Sequence, residues 1–400
     1  MTEWTTDKRQ ARSDTIGSCR PITREAGTTC RGAMRLVYVQ PGLSTAESGE
    51  VPLDDKTVAG LEEYARSWPG RILVVATVLP GPQLPREEHR EYFDVIATRN
   101  AAVTIRNLKP AAVLALHRGD SSAILNTGVP VVLTSEYPMS VRLAQQLIRA
   151  QTSADRVRIM AGSARQELHF RTSARNAAGL QCNGFPSWKA YASLNRSPIF
   201  FHDHRIRTKD IPAALATEPW DGSRPLRIAF SGRLTAIKGP QFALQMAREL
   251  DRKKAPVELY FTGDGDLRQE LEKSAPENTH FIGMLDFERE WKPFFRNHVD
   301  IAILPHPQGD PSCTYFEALG CGAPILGFAN STLTPLIERS DAGWTTRSNG
   351  QALANKVFSL LENPEQIAAA RSSGINYIAG QTFENVAHQR MRHVLECIAT

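Results

Sequence analysis

Long hydrophobic runs are missing from this sequence, and no stretch approaches the eighteen or so consecutive apolar residues that a membrane-spanning helix needs. Cysteine is scarce, with six among 400 residues, no C-x-x-C pair and no histidine at metal-ligand spacing. This excludes a disulfide scaffold and predicts no metal site and a reduced, cytoplasmic compartment. A large charge of one sign is also missing, since 47 basic and 42 acidic residues are interleaved to give a net charge of +5. The charge pattern therefore argues against a dedicated nucleic-acid binder.

Hydrophobic periodicity is absent from residues 1–33, which are rich in Thr, Arg and Ser and lack the apolar core of a secretory signal. We expect a disordered N-terminal extension here and ordered structure from Met34 onward.

Short apolar or β-branched runs alternate with longer amphipathic stretches from Met34 onward, in a chain long enough for two cores. Such alternation predicts two doubly wound α/β domains, each with a parallel sheet and crossover helices. The first domain has predicted strands at 35–40, 71–78, 111–116, 130–134 and 156–160 and helices at 57–68 and 92–108. The second has strands at 226–231, 257–262, 280–283, 301–304 and 324–328 and helices at 241–252, 267–274, 315–320, 350–362, 364–373 and 383–397. Residues 207–225, with three prolines, read as the linker, and the cleft between the domains is the expected ligand site.

The segment SGRLTAIKGP, residues 231–240, ends a predicted strand and opens a helix. Gly232 relieves the turn, Arg233 and Lys238 place two cations at the mouth of the cleft, and Pro240 suits the first turn of a helix. An arginine fork and a lysine near a helix amino terminus can hold a diphosphate without a metal ion. A solvated loop with two surface cations explains the same pattern equally well.

The segment GDPSCTYFEALGCGAPILGF, residues 309–328, follows a buried strand and runs through a short helix into the next strand. Small and hydroxyl residues at Ser312, Cys313 and Thr314 leave backbone N–H groups free at the helix start, which suits a phosphate. Glu317 beside an anion would have to face hydroxyl groups, such as those of a ribose. A helix-capping carboxylate is the alternative interpretation.

Together these two segments resemble retaining glycosyltransferases with the GT-B fold, family 4 in particular. SGRLTAIKGP is similar to the GR-x-x-x-x-KG segment of that family, and GDPSCTYFEALGCGAPILGF to its acidic-pair motif and G-x-P-V strand. FTGDGDLRQEL, HFIGMLDFEREWKPFF and HVDIAILPH resemble its G-x-G segment, its base-binding turn and its buried strand. Fainter similarities in AAVLALHRGD, RVRIMAGSARQEL, LQCNGFPSW and QTFENVAHQRMRHVL extend the resemblance from Met34 to the C-terminus.

The resemblance implies two Rossmann-like domains that face each other across a cleft. Residues 34–206 would form the acceptor domain, 226–380 the nucleotide-sugar domain, and 381–400 a last helix that returns to the N-terminal domain.

The resemblance also implies roles for individual residues. Arg233 and Lys238 would hold the donor diphosphate after Gly232, and Glu317 would bind the ribose hydroxyls. The backbone amides of Cys313 and Thr314 would meet the phosphates. Gly283, Met284 and Leu285 would contact the base of the nucleotide. His117 would contact the donor sugar.

The sequence departs from the family pattern at two places. The family's first acidic residue stands eight positions before the second, where this chain has Gly309, and Asp310 follows one residue late. Asp310 is therefore the candidate donor-binding carboxylate, and the identity of the sugar stays open. The loop VQPGLSTAESGE lacks the paired glycines of many members, although Gly42 and Gly49 could substitute for them.

Glycosyl transfer expels a nucleotide diphosphate through a transition state with oxocarbenium character, so cations that bind the leaving group more tightly as it becomes more negative are useful. The resemblance implies retention of configuration, with a donor phosphate oxygen taking the acceptor proton, and neither a protein nucleophile nor a metal or other cofactor. The partners would be a nucleotide-sugar donor and a sugar, lipid-linked or small-molecule acceptor. Peripheral membrane contact stays open, although the sequence shows no strongly basic amphipathic helix.

Several other interpretations compete with glycosyl transfer. A dinucleotide-dependent oxidoreductase would need a complete glycine fingerprint, but Arg268 stands where its third glycine belongs. A nucleotide-sugar epimerase or a phosphorylase on the same fold is a closer alternative. An epimerase would need acid and base carboxylates in the first domain, for which Glu136 and Glu167 are candidates. A homologue that binds nucleotide-sugar without turnover is also compatible with Gly309.

Two histidine-containing segments are ambiguous. The cluster at 202–204 in FFHDHRI could bind a metal, but its spacing favours a solvated turn. His306, between two prolines, could share the sugar contact with His117 and ranks below it.

Overall fold

The computed structural model describes residues 34–43, 51–78 and 87–399. Within them the chain folds into two α/β domains, each built on one sheet. The predicted extension 1–33 and Gly49 lie outside the described residues.

The N-terminal domain is built on eight strands: β1 (Leu36–Leu43), β2 (Ile72–Val78), β3 (Glu88–His89), β4 (Phe93–Thr98), β5 (Ala112–Leu116), β6 (Val131–Ser135), β7 (Gly179–Asn183) and β8 (Pro198–Phe201). They lie in the order β3-β4-β2-β1-β5-β6-β7-β8, parallel except where β3 pairs antiparallel with β4 at the edge. Strands β2 and β6 are buried along almost their whole length because helices cover both faces of the sheet. Those helices are α1 (Asp55–Ser67), α2 (Ala101–Leu108), α3 (Ser121–Leu125), α4 (Met139–Arg149), α5 (Ser153–Asn176) and α6 (Gly184–Tyr191).

The C-terminal domain is built on six parallel strands: β9 (Leu226–Ser231), β10 (Val257–Thr262), β11 (Thr279–Gly283), β12 (Ile301–Leu304), β13 (Ile325–Phe328) and β14 (Gly343–Thr346). Helix α7 (Asp210–Leu215) precedes the sheet. The helices around it are α8 (Pro240–Arg252), α9 (Arg268–Lys273), α10 (Lys292–His298), α11 (Cys313–Gly320), α12 (Leu333–Ser340), α13 (Gly350–Leu361) and α14 (Pro364–Ala379). The strand order β11-β10-β9-β12-β13-β14 reverses between β9 and β12. Ligands of such sheets bind at the carboxyl ends of the two strands that flank this reversal.

The last helix, α15 (Phe383–Ala399), leaves the C-terminal domain and packs against α1 of the N-terminal domain. Met391 and Val394 are buried in that domain's core. Arg390 reaches under the sheet, where its guanidinium donates to Thr134 Oγ1 at 2.9 Å and to Gln181 Oε1 at 2.8 Å. The C-terminal segment thus ties the two domains together.

The segment predicted as a linker, 207–225, contains α7 and packs closely on the C-terminal domain. Trp220 belongs to the core of that domain. Asp210 accepts from the buried Lys292 ammonium at 2.9 Å, and Arg371 donates to the carbonyl of Ala214 at 2.6 Å. The segment is therefore a fixed part of the domain.

Two predicted elements of the N-terminal domain are wrong. Residues 156–160 are helical and belong to α5, which Thr152 and Asp155 start with a reciprocal capping box. In RVRIM the apolar Val157 and Ile159 alternate with arginines as in a strand, but on the helix Val157 is exposed and Ile159 is half-buried. The predicted helix 92–108 divides into β4 and α2, and the strands β3, β7, β8 and β14 lacked a sequence prediction.

Candidate functional site

The loops after β9 and β12 meet at the strand-order reversal. The first passes Gly232 and Arg233 and makes a 3₁₀ turn at Ala236–Lys238. Gly239 follows with φ of +75°, and a Cβ there would stand 2.1 Å from the carbonyl oxygen of Pro305. Glycine is therefore required at 239, and it lets the first loop rest directly on the second.

Lys238 forms a buried ion pair across these loops. Its Nζ lies 2.6 Å from Asp310 Oδ2, and His306 Nδ1 donates to Asp310 Oδ1 at 3.3 Å. Burial by itself would raise the pKa of Asp310, but His306 and Lys238 hold that pKa well below its usual range. Burial, together with the charge of Lys238, lowers the pKa of His306. At neutral pH the group is thus a cation, a carboxylate and a neutral imidazole.

Arg233 is the exposed cation of the same loop, and it forms no ion pair with a described residue. The two cations therefore differ: the charge of Lys238 is balanced by Asp310, whereas that of Arg233 is available to an incoming anion.

Gly309 packs closely against Ser331. A Cβ there would stand 2.1 Å from Ser331 Oγ and 3.1 Å from Ser331 N. Thr332 Oγ1 also donates to the carbonyl of Gly309 at 2.8 Å, which fixes the backbone. The carboxylate expected at this position from the family pattern would require the exposed Ser331 hydroxyl to turn away and the backbone to shift slightly, and Asp310 is the acidic side chain nearest to it in sequence.

Helix α11 presents Cys313 and Thr314 at its amino terminus, three and four residues after Asp310. Glu317 is buried on this helix, and Arg205 Nε donates to its Oε1 at 3.1 Å. The Arg205 guanidinium also lies 3.5 Å from the centre of the Phe287 ring. Glu317 is thus oriented by an arginine from the segment that follows β8.

The turn after β11 presents an apolar surface. Gly283 ends the strand, Met284 is 81% exposed and Leu285 is half-buried. Phe287 stacks on Trp291 with ring centroids 5.3 Å apart. The exposed Met284 and the stacked rings offer the kind of surface on which a planar base can lie.

The segment 202–204 is buried between the domains, so its interpretation as a solvated turn is wrong. His202 stacks on Phe316 with centroids 4.1 Å apart, and burial lowers the pKa of His202 to about 3. His204 Nε2 donates to the carbonyl of Gln381 at 2.9 Å. Both imidazoles are therefore neutral packing elements of the interdomain connection.

Asp203 is the acidic residue of that segment, and its carboxylate lies on the N-terminal side of the cleft. Its Oδ2 lies 2.6 Å from Lys56 Nζ at the start of α1. Lys56 holds the pKa of Asp203 below its usual value despite burial, whereas burial and the neighbouring Asp203 raise the pKa of Glu136. The N-terminal side of the cleft therefore holds an ion pair beside a carboxyl that protonates more easily than usual.

His117 is fully occupied within the N-terminal domain. Its Nε2 donates to the carbonyl of Phe170 at 2.9 Å, and Ser135 Oγ donates to Nδ1 at 3.1 Å. Burial lowers the pKa of His117 to about 4, so the ring is neutral at physiological pH. The ring lines a cavity of about 490 Å³ that Glu136 and Tyr137 also line.

Tyr137, which lines this cavity, lies near the loops that follow β9 and β12. Helix α4 lies against the 3₁₀ turn that carries Lys238. Burial raises the pKa of the Tyr137 phenol. The carboxylates of Glu136, in the N-terminal domain, and of Asp310, in the C-terminal domain, raise that pKa further. The cavity and the two loops face one another across the cleft.

Glu167, the second carboxylate considered for an epimerase, is committed to structure. It accepts from Arg142 Nη2 at 2.9 Å, from the Tyr191 hydroxyl at 2.8 Å and from Arg171 Nε at 3.1 Å. An acid–base pair formed with Glu136 is therefore excluded.

The structure brings most of the sequence-predicted residues to one edge of the C-terminal sheet: Gly232, Arg233, Lys238, Gly283, Met284, Leu285, Asp310, Cys313, Thr314 and Glu317. His117 stands across the cleft. The prediction missed Lys56, Arg205 and Phe287. The charge pattern of FFHDHRI, directly after an apolar strand, is the one signal that could have marked Arg205.

Comparison with known proteins gives a family match in the C-terminal domain. Residues 225–363 match the model of the family described as glycosyl transferases group 1. The C-terminal domain of this chain is therefore similar to the group 1 glycosyltransferases. The amylovoran biosynthesis glycosyltransferase AmsK of Erwinia amylovora is 24% identical to this chain over 186 residues. That match covers 44% of the chain and about half, 46%, of the relative's length.

Solved structures show a likeness in fold that extends over both domains. Sucrose-phosphate synthase from Thermosynechococcus elongatus superposes with a TM-score of 0.64 at 14% identity, over 92% of this chain and 99% of that chain. HepE from Anabaena, solved with UDP, gives 0.61 at 15% identity, over 91% of this chain and 100% of that chain. The predicted GT-B architecture is confirmed.

Within residues 34–43, 51–78 and 87–399, no helix is both long and apolar enough to cross a membrane. The same residues contain no group of three or more His, Cys, Asp or Glu side chains arranged to hold a metal ion.

Proposed function

We propose that the protein transfers a glycosyl group from a nucleotide-diphosphate sugar to an acceptor hydroxyl, with retention of anomeric configuration and without a metal ion. The contact that carries this proposal is the one between Lys238 and Asp310 at 2.6 Å. It joins the loop of Arg233 to the loop that precedes α11. Two cations and a helix amino terminus thereby converge where a diphosphate can bind.

The chemistry follows from this charge arrangement. As the bond between the anomeric carbon and the diphosphate oxygen breaks, negative charge grows on the leaving group, and Arg233, Lys238 and the amides of Cys313 and Thr314 stabilise it. A donor phosphate oxygen takes the acceptor proton, so the protein supplies no nucleophile. Glu317, oriented by Arg205, receives the ribose hydroxyls.

UDP-sugars are the first donors to test, because HepE was solved with UDP and with UDP-glucose. The base would lie on the turn that presents Met284 and Leu285 beside Phe287.

The acceptor, a sugar, a lipid-linked or a small molecule, would enter from the N-terminal domain. The 490 Å³ cavity beside His117 supports this, because Tyr137, which lines it, is close enough to Asp310 for that carboxylate to raise its pKa. In this proposal Glu136 orients an acceptor hydroxyl, and His117 touches the donor sugar through a ring edge. The proposal includes a cytoplasmic location, which the scattered cysteines support. It also includes peripheral contact with a membrane.

A nucleotide-sugar-binding protein without turnover is the second candidate. It is favoured by Gly309, which leaves the site without the expected first carboxylate and packs closely against Ser331. Binding without product formation would select it.

The test uses the full chain with UDP-, GDP- and dTDP-sugars in EDTA, and it follows nucleotide release and the first-formed anomer of the free sugar by ¹H NMR. We expect release from one nucleotide series, the donor's own anomer as first product, and loss of release in Lys238→Ala and Glu317→Ala. The matched control is Lys273→Ala, an exposed lysine on α9. Inverted product contradicts retention, dependence on added Mg²⁺ contradicts metal independence, and equal release by all variants contradicts the site.

A further inference from the structure

Gln308 lies between the two loops that follow β9 and β12. It is 2% exposed and stands two residues before Asp310. Its side-chain Oε1 accepts from the backbone N–H of Asp310 at 2.8 Å. Its Nε2 donates to the carbonyl of Ile237 at 3.3 Å, in the 3₁₀ turn that also carries Lys238. One neutral amide therefore bridges the two loops.

The carbonyl of Ile237 needs a donor from outside its own turn. The residue three positions later, which donates in a regular 3₁₀ turn, is Pro240, and proline has no N–H. A buried carbonyl that lacks a hydrogen bond destabilises the fold. Gln308 supplies a donor at this point and thereby holds the turn against the loop after β12.

Two of the polar contacts between the loops differ in charge. The ion pair of Lys238 with Asp310 joins the loops but balances the charge of the lysine. A diphosphate at Lys238 competes with Asp310 for the ammonium group, so this ion pair weakens when a donor enters. Gln308 is neutral, and both of its partners are backbone groups. Its bridge therefore persists when the charges around the diphosphate rearrange.

We propose that Gln308 is a positioning residue of the donor site, which keeps the turn of Lys238 and the amino terminus of α11 at the spacing that a diphosphate needs. The amide acts through the two loops. Displacing a binding group by about 1 Å can cost about 100-fold in rate, so a fixed spacing matters for transfer. This role rests on the proposed donor site, whereas the bridge between the loops does not.

Three variants separate this role from a purely structural one. Gln308→Leu removes both hydrogen bonds at a similar size. Gln308→Glu keeps the shape and the acceptor, but the introduced carboxyl can donate to Ile237 only when it is protonated. The matched control is Asn195→Leu, which removes another buried amide, one that donates to the carbonyls of Ala174 and Ala177 in the N-terminal domain. Far-UV circular dichroism verifies that each variant is folded.

The bridge itself is tested by hydrogen exchange, followed by mass spectrometry, on the full chain without ligand. In this peptide, residues 231–240, the amides of Lys238 and Gly239 donate within the turn. Gln308→Leu should make the peptide exchange faster than in the parent, because the turn loses its tie to the other loop. Asn195→Leu should leave its exchange unchanged. An unchanged rate in Gln308→Leu overturns the bridge, whatever the donor site does.

The positioning role is tested by calorimetric titration with UDP, GDP and dTDP at pH 8. We expect Gln308→Leu to bind the parent's nucleotide at least about fivefold more weakly, the equivalent of one lost hydrogen bond. Asn195→Leu should bind this nucleotide as the parent does. Equal affinity of Gln308→Leu and the parent overturns the role.

Gln308→Glu adds a pH profile that a purely structural role would not change. The charged and titratable side chains around this position are Asp310 and His306 on its own loop and Lys238 on the facing turn. Asp310 offsets the attraction of Lys238, and burial raises the pKa of an introduced carboxyl. Protonation then restores the donor to Ile237.

The ratio of the dissociation constants of Gln308→Glu and the parent should therefore be large at pH 8 and fall toward one at pH 5.5. Taking the ratio removes the titration of the nucleotide's own phosphate. A ratio that stays constant over this range overturns the positioning role. A parent that binds none of the three nucleotides overturns it together with the proposed function, and hydrogen exchange still decides the bridge.

Discussion

Lys238 Nζ lies 2.6 Å from Asp310 Oδ2, with both side chains largely buried. The lysine nearest the expected diphosphate is therefore held by a carboxylate before any donor enters. Because Asp310 balances its charge, Lys238 contributes a fixed position to the site more than it contributes net positive charge. The net attraction for the donor then falls to Arg233 and the amino terminus of α11.

Asp310→Asn should destabilise the protein by about 3 kcal/mol at pH 7, because it leaves a shielded lysine without its counter-charge. The pKa of Asp310 is depressed in the folded state, so the stabilisation is present above the unfolded pKa of about 3.9 and is lost as pH falls through the folded pKa. The difference between parent and variant should therefore shrink as the pH is lowered from 5 to 3. Urea unfolding across this range measures it, with the exposed Asp266→Asn as control. A difference that stays constant down to pH 3 would argue against the assigned ion pair.

Gly309→Glu, which restores the family carboxylate, should lower stability and fail to raise activity. The added Cβ meets Ser331 Oγ at 2.1 Å, and overpacking of this kind costs about 1–3 kcal/mol. Ser331→Gly should recover part of the lost free energy of unfolding in the double variant. Thermal unfolding of both single variants and of the double variant measures the coupling free energy between positions 309 and 331. Additive effects would mean that Ser331 is not the obstacle.

Arg205→Ala should weaken nucleotide binding and destabilise the fold, because Glu317 loses its partner and Phe287 loses the stacked guanidinium. Arg205→Lys keeps the charge but not the planar stack, so it should fall between the parent and Ala. Calorimetric titration with UDP measures the affinity. A double-mutant cycle with Phe287→Ala should give a coupling energy of about 1 kcal/mol. A coupling energy of zero would mean that Arg205 and the Phe287 ring do not stabilise one another.

His117 should stay neutral throughout the physiological range. Its folded pKa of about 4 lies below the ordinary value of about 6.5, so the unfolded chain binds more protons between these two values. Its contribution to stability is therefore complete above pH 6.5 and is lost as the pH falls toward 4. NMR titration of the ring protons follows the pKa directly. A midpoint near 6.5 would mean that the ring is not bound as described, and His117→Asn should remove this part of the acid dependence.

The C-terminal domain follows closely from the sequence because its strands are continuous apolar runs, each bounded by a turn signal or a helix cap. Leu226–Ser231, Val257–Thr262 and Ile301–Leu304 match their predicted bounds. Order along the chain placed Arg233 and Asp310 near the same edge, but it did not reveal the pair of Lys238 with Asp310. Such contacts depend on side-chain direction.

The N-terminal domain was harder to predict for a physical reason. Its helix α5 carries apolar residues such as Val157 on an exposed face, so the sequence of residues 156–160 resembles that of a strand. His202 and His204 have a polar composition that favours a solvated turn, yet long-range packing between the domains buries both. Burial of this kind is decided by tertiary contacts and carries no local signal.

The most direct test of the central claim is calorimetric titration of the full chain with UDP, GDP and dTDP in EDTA, comparing the parent with Arg233→Ala and with Arg252→Ala, an exposed arginine on α8. We predict that one nucleotide binds the parent, that Arg252→Ala binds it equally well, and that Arg233→Ala binds it at least tenfold more weakly, from one lost charge-assisted hydrogen bond to phosphate. Binding of that nucleotide with the same affinity by all three proteins, or no binding by the parent, would contradict a diphosphate site at the loops after β9 and β12.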